Sequence, residues 1–198
     1  MIMRYTILVL VLVLSACGEN PPVPVDHFYR LDLQHQPAAS GLITEGTIYV
    51  SGFRAEGIYN ERAILFSEDN NRVLKQYHYH FWSSPPPDML RSYLVDYLRR
   101  AGSANLVVND FSLNEGLRVS GLIQGFEKRI SNDQVTVHVA VEMRADRIGN
   151  EQPLLLRQYV VDENIGSNLI DEIVAGFNTA VDKAFDSFLS DLKEAAAK

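Results

Sequence analysis

The chain has 198 residues, 46% of them hydrophobic, with 25 acidic against 18 basic side chains and a formal net charge of −7. An acidic balance of this size argues against nucleic acid as a partner and against charge-driven binding to anionic headgroups. The single cysteine, Cys17, excludes a disulfide within the chain.

Arg4 precedes an apolar run from Tyr5 to Leu14, which ends in Leu14-Ser15-Ala16-Cys17. The run is about ten residues, half of the roughly 20 needed to cross a hydrocarbon core. A short apolar segment closed by small residues reads as an export signal, residues 1–16, removed before Cys17. The residues ahead of the cysteine match the bacterial lipobox, which predicts a diacylglycerol on the Cys17 thiol and acylation of the new amine. Each buried methylene contributes ~0.8 kcal/mol, so several chains on one residue make attachment effectively permanent. No thiol then remains for a nucleophile or a zinc site. Gly18 stands where an Asp is associated with inner-membrane retention, so outer-membrane sorting is expected, with the domain facing the periplasm. Residues 17–26 form the lipidated tether. Three prolines in Gly18 to Asp26 favour an extended chain of about 3.1 Å per residue, a reach of at most ~28 Å.

Residues 27–198 read as one domain. His27 to Leu33 is a first expected strand, and Gly46 to Phe53 a second. Arg62 to Phe66 and Arg72 to Trp82 form a predicted hairpin around the polar turn Glu68-Asp69-Asn70-Asn71. Pro85-Pro86-Pro87 then opens a helix, with Ser84 as the expected cap. Leu90, Tyr93, Leu94, Tyr97 and Leu98 recur at helical spacing, and Gly102 stops the run. Val135, Val137, Val139, Val141 and Met143 alternate with polar residues, as in a half-buried strand. Across Ser131-Asn132-Asp133 this strand pairs with Leu117 to Ile130 in a long antiparallel hairpin. Glycines 116, 121 and 125 fall in that strand pair and suit a bulge or close packing, not a phosphate cradle. Leu154 to Val161 is a further strand. A long helix from about Ser167 to Lys193 carries an apolar stripe from Leu169 through Ile173, Phe177, Val181, Phe185 and Leu192. Asp171, Glu172, Asp182, Asp186 and Asp191 lie off that stripe, as a solvated face. The expected class is α+β: a mostly antiparallel sheet of six or seven strands, with two main helices packed on one face.

Taken together, these residues resemble the ABC-type transport auxiliary lipoproteins. The likeness rests on Phe28-Tyr29-Arg30-Leu31, Ile48-Tyr49-Val50 with Phe53, Gly57-Ile-Tyr-Asn-Glu-Arg62, and Tyr77-His-Tyr-His-Phe-Trp82 with the prolines and Leu90 that follow. It runs in order over residues 26 to 190. The resemblance implies a non-enzymatic outer-membrane lipoprotein serving a lipid transporter that links the two membranes through an MCE-domain protein. It further implies assembly of copies into a homo-oligomeric ring.

Candidate site residues are few. Cys17 is the lipidation site, and no cofactor is expected beyond that covalent lipid. Trp82, with Tyr79 and Phe81, could face a partner or lipid, although for Trp82 the resemblance favours a structural role at the strand–helix junction. His78 and His80 stand two apart on an expected strand, as a metal pair would, but no third ligand lies nearby and no metal is expected. Nucleophile, zinc-protease and phosphate-loop motifs are absent. The alternative function is a structural assembly or secretion accessory lipoprotein that stabilises an outer-membrane complex.

Overall fold

A computed structural model describes residues 23–32, 37, 41–68, 72–109, 115–132 and 134–197. The expected signal, Cys17 and most of the tether lie outside the described residues. Within them the order is β1 (His27–Tyr29), β2 (Thr44–Val50), β3 (Arg54–Ala55), a 3-10 helix (Gly57–Asn60), β4 (Ala63–Glu68) and β5 (Leu74–Trp82). Then follow α1 (Pro86–Arg100), β6 (Ala104–Val108), β7 (Leu117–Ser131), β8 (Gln134–Arg147), β9 (Pro153–Ile165) and α2 (Ile170–Ala196).

The trunk of the sheet is β7, 15 residues long. One edge pairs antiparallel with β8 from Leu117↔Arg147 to Ser131↔Gln134, and β8 pairs antiparallel with β9. The other edge is covered in succession by β2, β3 and β4, at Leu117 to Val119, Leu122 to Ile123 and Lys128 to Ile130, each running parallel to β7. Beyond these, β6 joins β2 in parallel, β5 joins β4 antiparallel, and β1 joins β5 in parallel.

The expectation of a mostly antiparallel sheet is therefore corrected: the sheet is mixed, and most of its strand pairings are parallel. The reason is topological. Alternation identifies strands but not their neighbours, and pairing sequence neighbours into hairpins missed that β2, β3 and β4 together span the far edge of β7. The short strands β3 and β6 carried too few residues to register as a period.

Two helices on one face are as expected. Val137, Val139, Val141, Met143 and Ala145 point from β8 into the core at 1% exposure or less. Phe177 of α2 packs at a tilt on Phe126 of β7 (4.5 Å between ring centres) and edge-on against Trp82 of β5 (5.1 Å). In α1, all five stripe residues from Leu90 to Leu98 are buried. Two details depart from expectation. Pro85 is the N-cap of α1 and no side chain caps it, so Ser84 does not serve; Pro86 and Pro87 in the first turn have no donor to satisfy. Leu169 is 65% exposed, ahead of the first turn of α2 rather than on its buried stripe.

The three glycines have steric jobs. Gly116 has φ +118° and approaches the Thr47 carbonyl so closely that a Cβ would sit 2.4 Å from its oxygen. Gly121 lies beneath the Phe53 ring, and Gly125 follows a register shift in β7 and lies beneath His138.

Candidate functional site

Strands alternate their side chains between faces, and in β5 this separates residues grouped together in the sequence. Trp82 points to the helices and is 1% exposed, wedged against Phe126 and Phe177. As a partner-facing residue it is corrected: the indole belongs to the core. Its register partner Tyr29 shares that face. Phe81 pairs with Phe28 on the opposite face, their ring centres 5.9 Å apart, and Phe28 is 58% exposed. Tyr79 is also exposed. Arg62 sets its guanidinium 5.2 Å from the centre of the Phe28 ring, while its Nε donates to the Trp82 carbonyl at 3.1 Å. Val23 and Val25, leading into β1, are exposed as well. The result is an aromatic ridge at the corner where the tether enters the domain.

The two histidines of β5 do not form a metal pair. His78 is exposed beside Tyr79, whereas His80 stacks on His27 at 5.4 Å and takes part in a 2.9 Å hydrogen bond between its Nδ1 and the Tyr29 hydroxyl. A register shift between β4 and β5 falls along this stretch and breaks the simple alternation. Burial, then the nearby His27, holds the His80 imidazole below its usual range, with Asp171 opposing. Among the described residues no group of three or more His, Cys, Asp or Glu side chains is placed to hold a metal.

Two buried charges went unnoticed in the sequence. Glu127 is 1% exposed and accepts from the Tyr59 hydroxyl and from Arg129 Nε at 2.7 Å. Arg129 continues to Asp162 at 3.9 Å, and Asp162 meets His138 Nδ1 at 2.7 Å. Burial and the Glu127 carboxylate push the Tyr59 phenol well above its usual range. On the helix face, Lys128 is 2% exposed, with Nζ donating to the Tyr77 hydroxyl (2.6 Å) and to Asn168 Oδ1 (2.8 Å). Its ammonium also lies 5.0 Å from the ring centres of both Phe66 and Tyr77. Burial lowers its pKa. The visible signal was Glu127-Lys128-Arg129 inside an apolar strand, where a charge requires a partner.

The aspartates of α2 are likewise not a plain solvated face. Asp182, Asp186 and Asp191 accept the hydroxyls of Tyr93, Tyr97 and Tyr159. Arg157 adds a 2.7 Å ion pair to Asp191, inside an open cleft of about 620 Å³ that Arg147, Glu194 and Leu155 also line. Among the described residues no helix is long and apolar enough to cross a membrane.

The family model for the ABC-type transport auxiliary lipoprotein component matches residues 29–187. No curated protein sequence matches the chain. Among solved structures, a protein of family DUF330 from Xanthomonas campestris aligns with a TM-score of 0.74 at 15% identity, over 82% of this chain and 92% of that one. An uncharacterized protein aligns at 0.67 and 15% identity, over 84% and 97%. A hypothetical protein from Chlamydia trachomatis aligns at 0.54 and 8% identity, over 77% and 98%. At these identities the likeness is one of fold.

Proposed function

The chain belongs to the ABC-type transport auxiliary lipoprotein family, and from that premise we propose that it is a non-enzymatic outer-membrane lipoprotein of an MCE-type lipid transport system. In this reading Cys17 carries the lipid, the domain hangs beneath the periplasmic leaflet, and an MCE-domain protein is its partner. The observation that carries it is the family match over residues 29–187, which begins beyond the short tether that follows Leu14-Ser15-Ala16-Cys17. A ring of copies is part of the same proposal. It finds support in open strand edges: among the described residues, β1 pairs only with β5, β6 only with β2 and β9 only with β8.

Two experiments test the proposal. The first recovers the protein from cross-linked cell envelopes and identifies what comes with it; an MCE-domain protein is expected. Recovery of a secretion or assembly complex instead would favour the rival accessory role. The second replaces Cys17 by Ser. That variant should fold, because the core starts beyond the tether, yet leave the membrane fraction. Retention of Cys17→Ser after a high-salt wash would overturn the anchor.

A further inference from the structure

Four of the ten large apolar side chains exposed among the described residues (Val23, Val25, Phe28 and Tyr79) belong to the corner formed by β1 and β5. The same corner is where the tether ends. We infer that the Phe28–Phe81 ridge, with Val25 and Arg62, rests in the headgroup region of the bilayer that holds the Cys17 lipid, so that the domain has a fixed orientation on the membrane. This inference depends on the anchored-lipoprotein reading and adds to it a second, non-covalent contact.

Three observations support the bilayer as the occupant. The first is distance. Nine residues, Gly18 to Asp26, separate the lipidated cysteine from β1, and their maximum reach of ~28 Å keeps this corner close to the leaflet. Tethering makes the second contact intramolecular, so a patch too weak to bind vesicles from solution is still occupied.

Chemistry is the second. Surfaces that lie in the interface bury Trp, Phe or Leu at the boundary between headgroups and acyl chains and keep Lys or Arg on the polar side. The Arg62 guanidinium lies over the Phe28 ring and is tied to the Trp82 carbonyl. From there its remaining donors can reach lipid phosphates while the Phe28 ring turns toward the acyl boundary.

Rigidity is the third. Phe28 and Phe81 are neighbours in a strand pair whose other face is nailed into the core by Trp82. The ridge is therefore presented as a fixed surface. In sequence Asp26 and Glu61 offset Arg30 and Arg62, so net charge adds little. Apolar insertion carries most of the contact, the Arg62–phosphate contact is secondary, and salt should not disrupt it.

The test uses the full lipidated protein in vesicles of phosphatidylethanolamine and phosphatidylglycerol doped with dibromophosphatidylcholine, whose bromines quench tryptophan at short range. Phe28→Trp and Phe81→Trp place reporters on the ridge. Leu156→Trp places one on β9, at the far edge of the sheet. Trp82 contributes the same buried background to all three. The added emission of both ridge reporters should fall about twofold and shift to the blue, as expected of an indole in the interface, and should stay quenched at high salt. The β9 reporter should be unquenched. Ridge reporters no more quenched than Leu156→Trp, in protein that floats with the vesicles, would overturn the inference and leave the anchor standing. Failure of the protein to float at all would remove the anchor and the inference together.

Discussion

Tyr93 of α1 donates its hydroxyl to Asp182 of α2 at 2.5 Å, and one turn further along Tyr97 repeats the contact with Asp186. The rings beneath these bonds pack on Phe185. A charge-assisted hydrogen bond at the rim of an apolar seam fixes the register of the two helices, and such bonds contribute ~1.5–3 kcal/mol. Tyr93→Phe should lower stability by roughly 1–2 kcal/mol, as should Asp182→Asn. The double variant should cost less than the sum, because both changes delete one bond. Urea unfolding of the four proteins measures this coupling; strict additivity would show the bond to be idle.

The same bonds set the response to alkali. Burial, and then the partner carboxylate, raises the pKa of Tyr59, Tyr93, Tyr97 and Tyr159 above the ordinary 10.0. In the unfolded chain these phenols ionise near 10.0, while in the folded protein they keep their protons. Their contribution is complete below that value and is lost as pH rises through and beyond it. Stability should fall steeply above about pH 10, and Tyr97→Phe should make the fall shallower. Thermal unfolding recorded across that range decides the matter; a flat profile would contradict it.

Packing of Gly121 under Phe53 yields a third expectation. A Cβ at position 121 would lie 2.3 Å from Cε1 of the ring and 2.5 Å from Cδ1. The ring closes the core between β2 and β3, at 7% exposure, and has little room to retreat. Gly121→Ala should cost about 1–3 kcal/mol through overpacking. Combined with Phe53→Leu, the added methyl should be partly accommodated, so the pair should be more stable than the two single losses predict. Calorimetry of the three variants checks the sign.

The comparison of β5 with β8 shows what the sequence could carry. In β8 every second residue from Val135 to Met143 is apolar, the strand sits mid-sheet between β7 and β9, and the period alone identifies its buried face. In β5 aromatics occupy consecutive positions from Tyr77 to Trp82, and a register shift interrupts the alternation. Residue type could not say that Trp82 is core while Phe81, one step away, is not. The helices were legible because their apolar stripes, and for α1 the proline start and the Gly102 stop, are local, although the expected Ser84 cap is not used. The partners of Asp182 and Asp186 were not, since Tyr93 and Tyr97 are each 89 residues distant. Parallel pairing was hidden for the same reason: direction in a sheet depends on where the chain returns, not on the composition of the strand.

Lys128 supplies the last prediction. Its hydrogen-bond partners, Tyr77 and Asn168, are neutral, and the Phe66 and Tyr77 rings flank the ammonium. Glu68 attracts it only as a secondary influence against burial. A buried charge held by neutral groups pays desolvation without a full ionic return, and apolar residues of similar volume often replace such charges at little loss. Lys128→Met should therefore remain within about 1 kcal/mol of the wild type at neutral pH. Lys128→Glu should lose roughly 3 kcal/mol or more, because it turns a negative charge toward the faces of two rings. The pH dependence has a definite sign. The folded lysine releases its proton below the ordinary 10.5, so between the two values the unfolded chain binds more protons and this group adds stability as pH rises. Compared across that interval, the wild type should gain on Lys128→Met, which has no proton to lose. A gap that widens in favour of the methionine variant would mean that the ammonium, not the neutral amine, is the form the cage prefers.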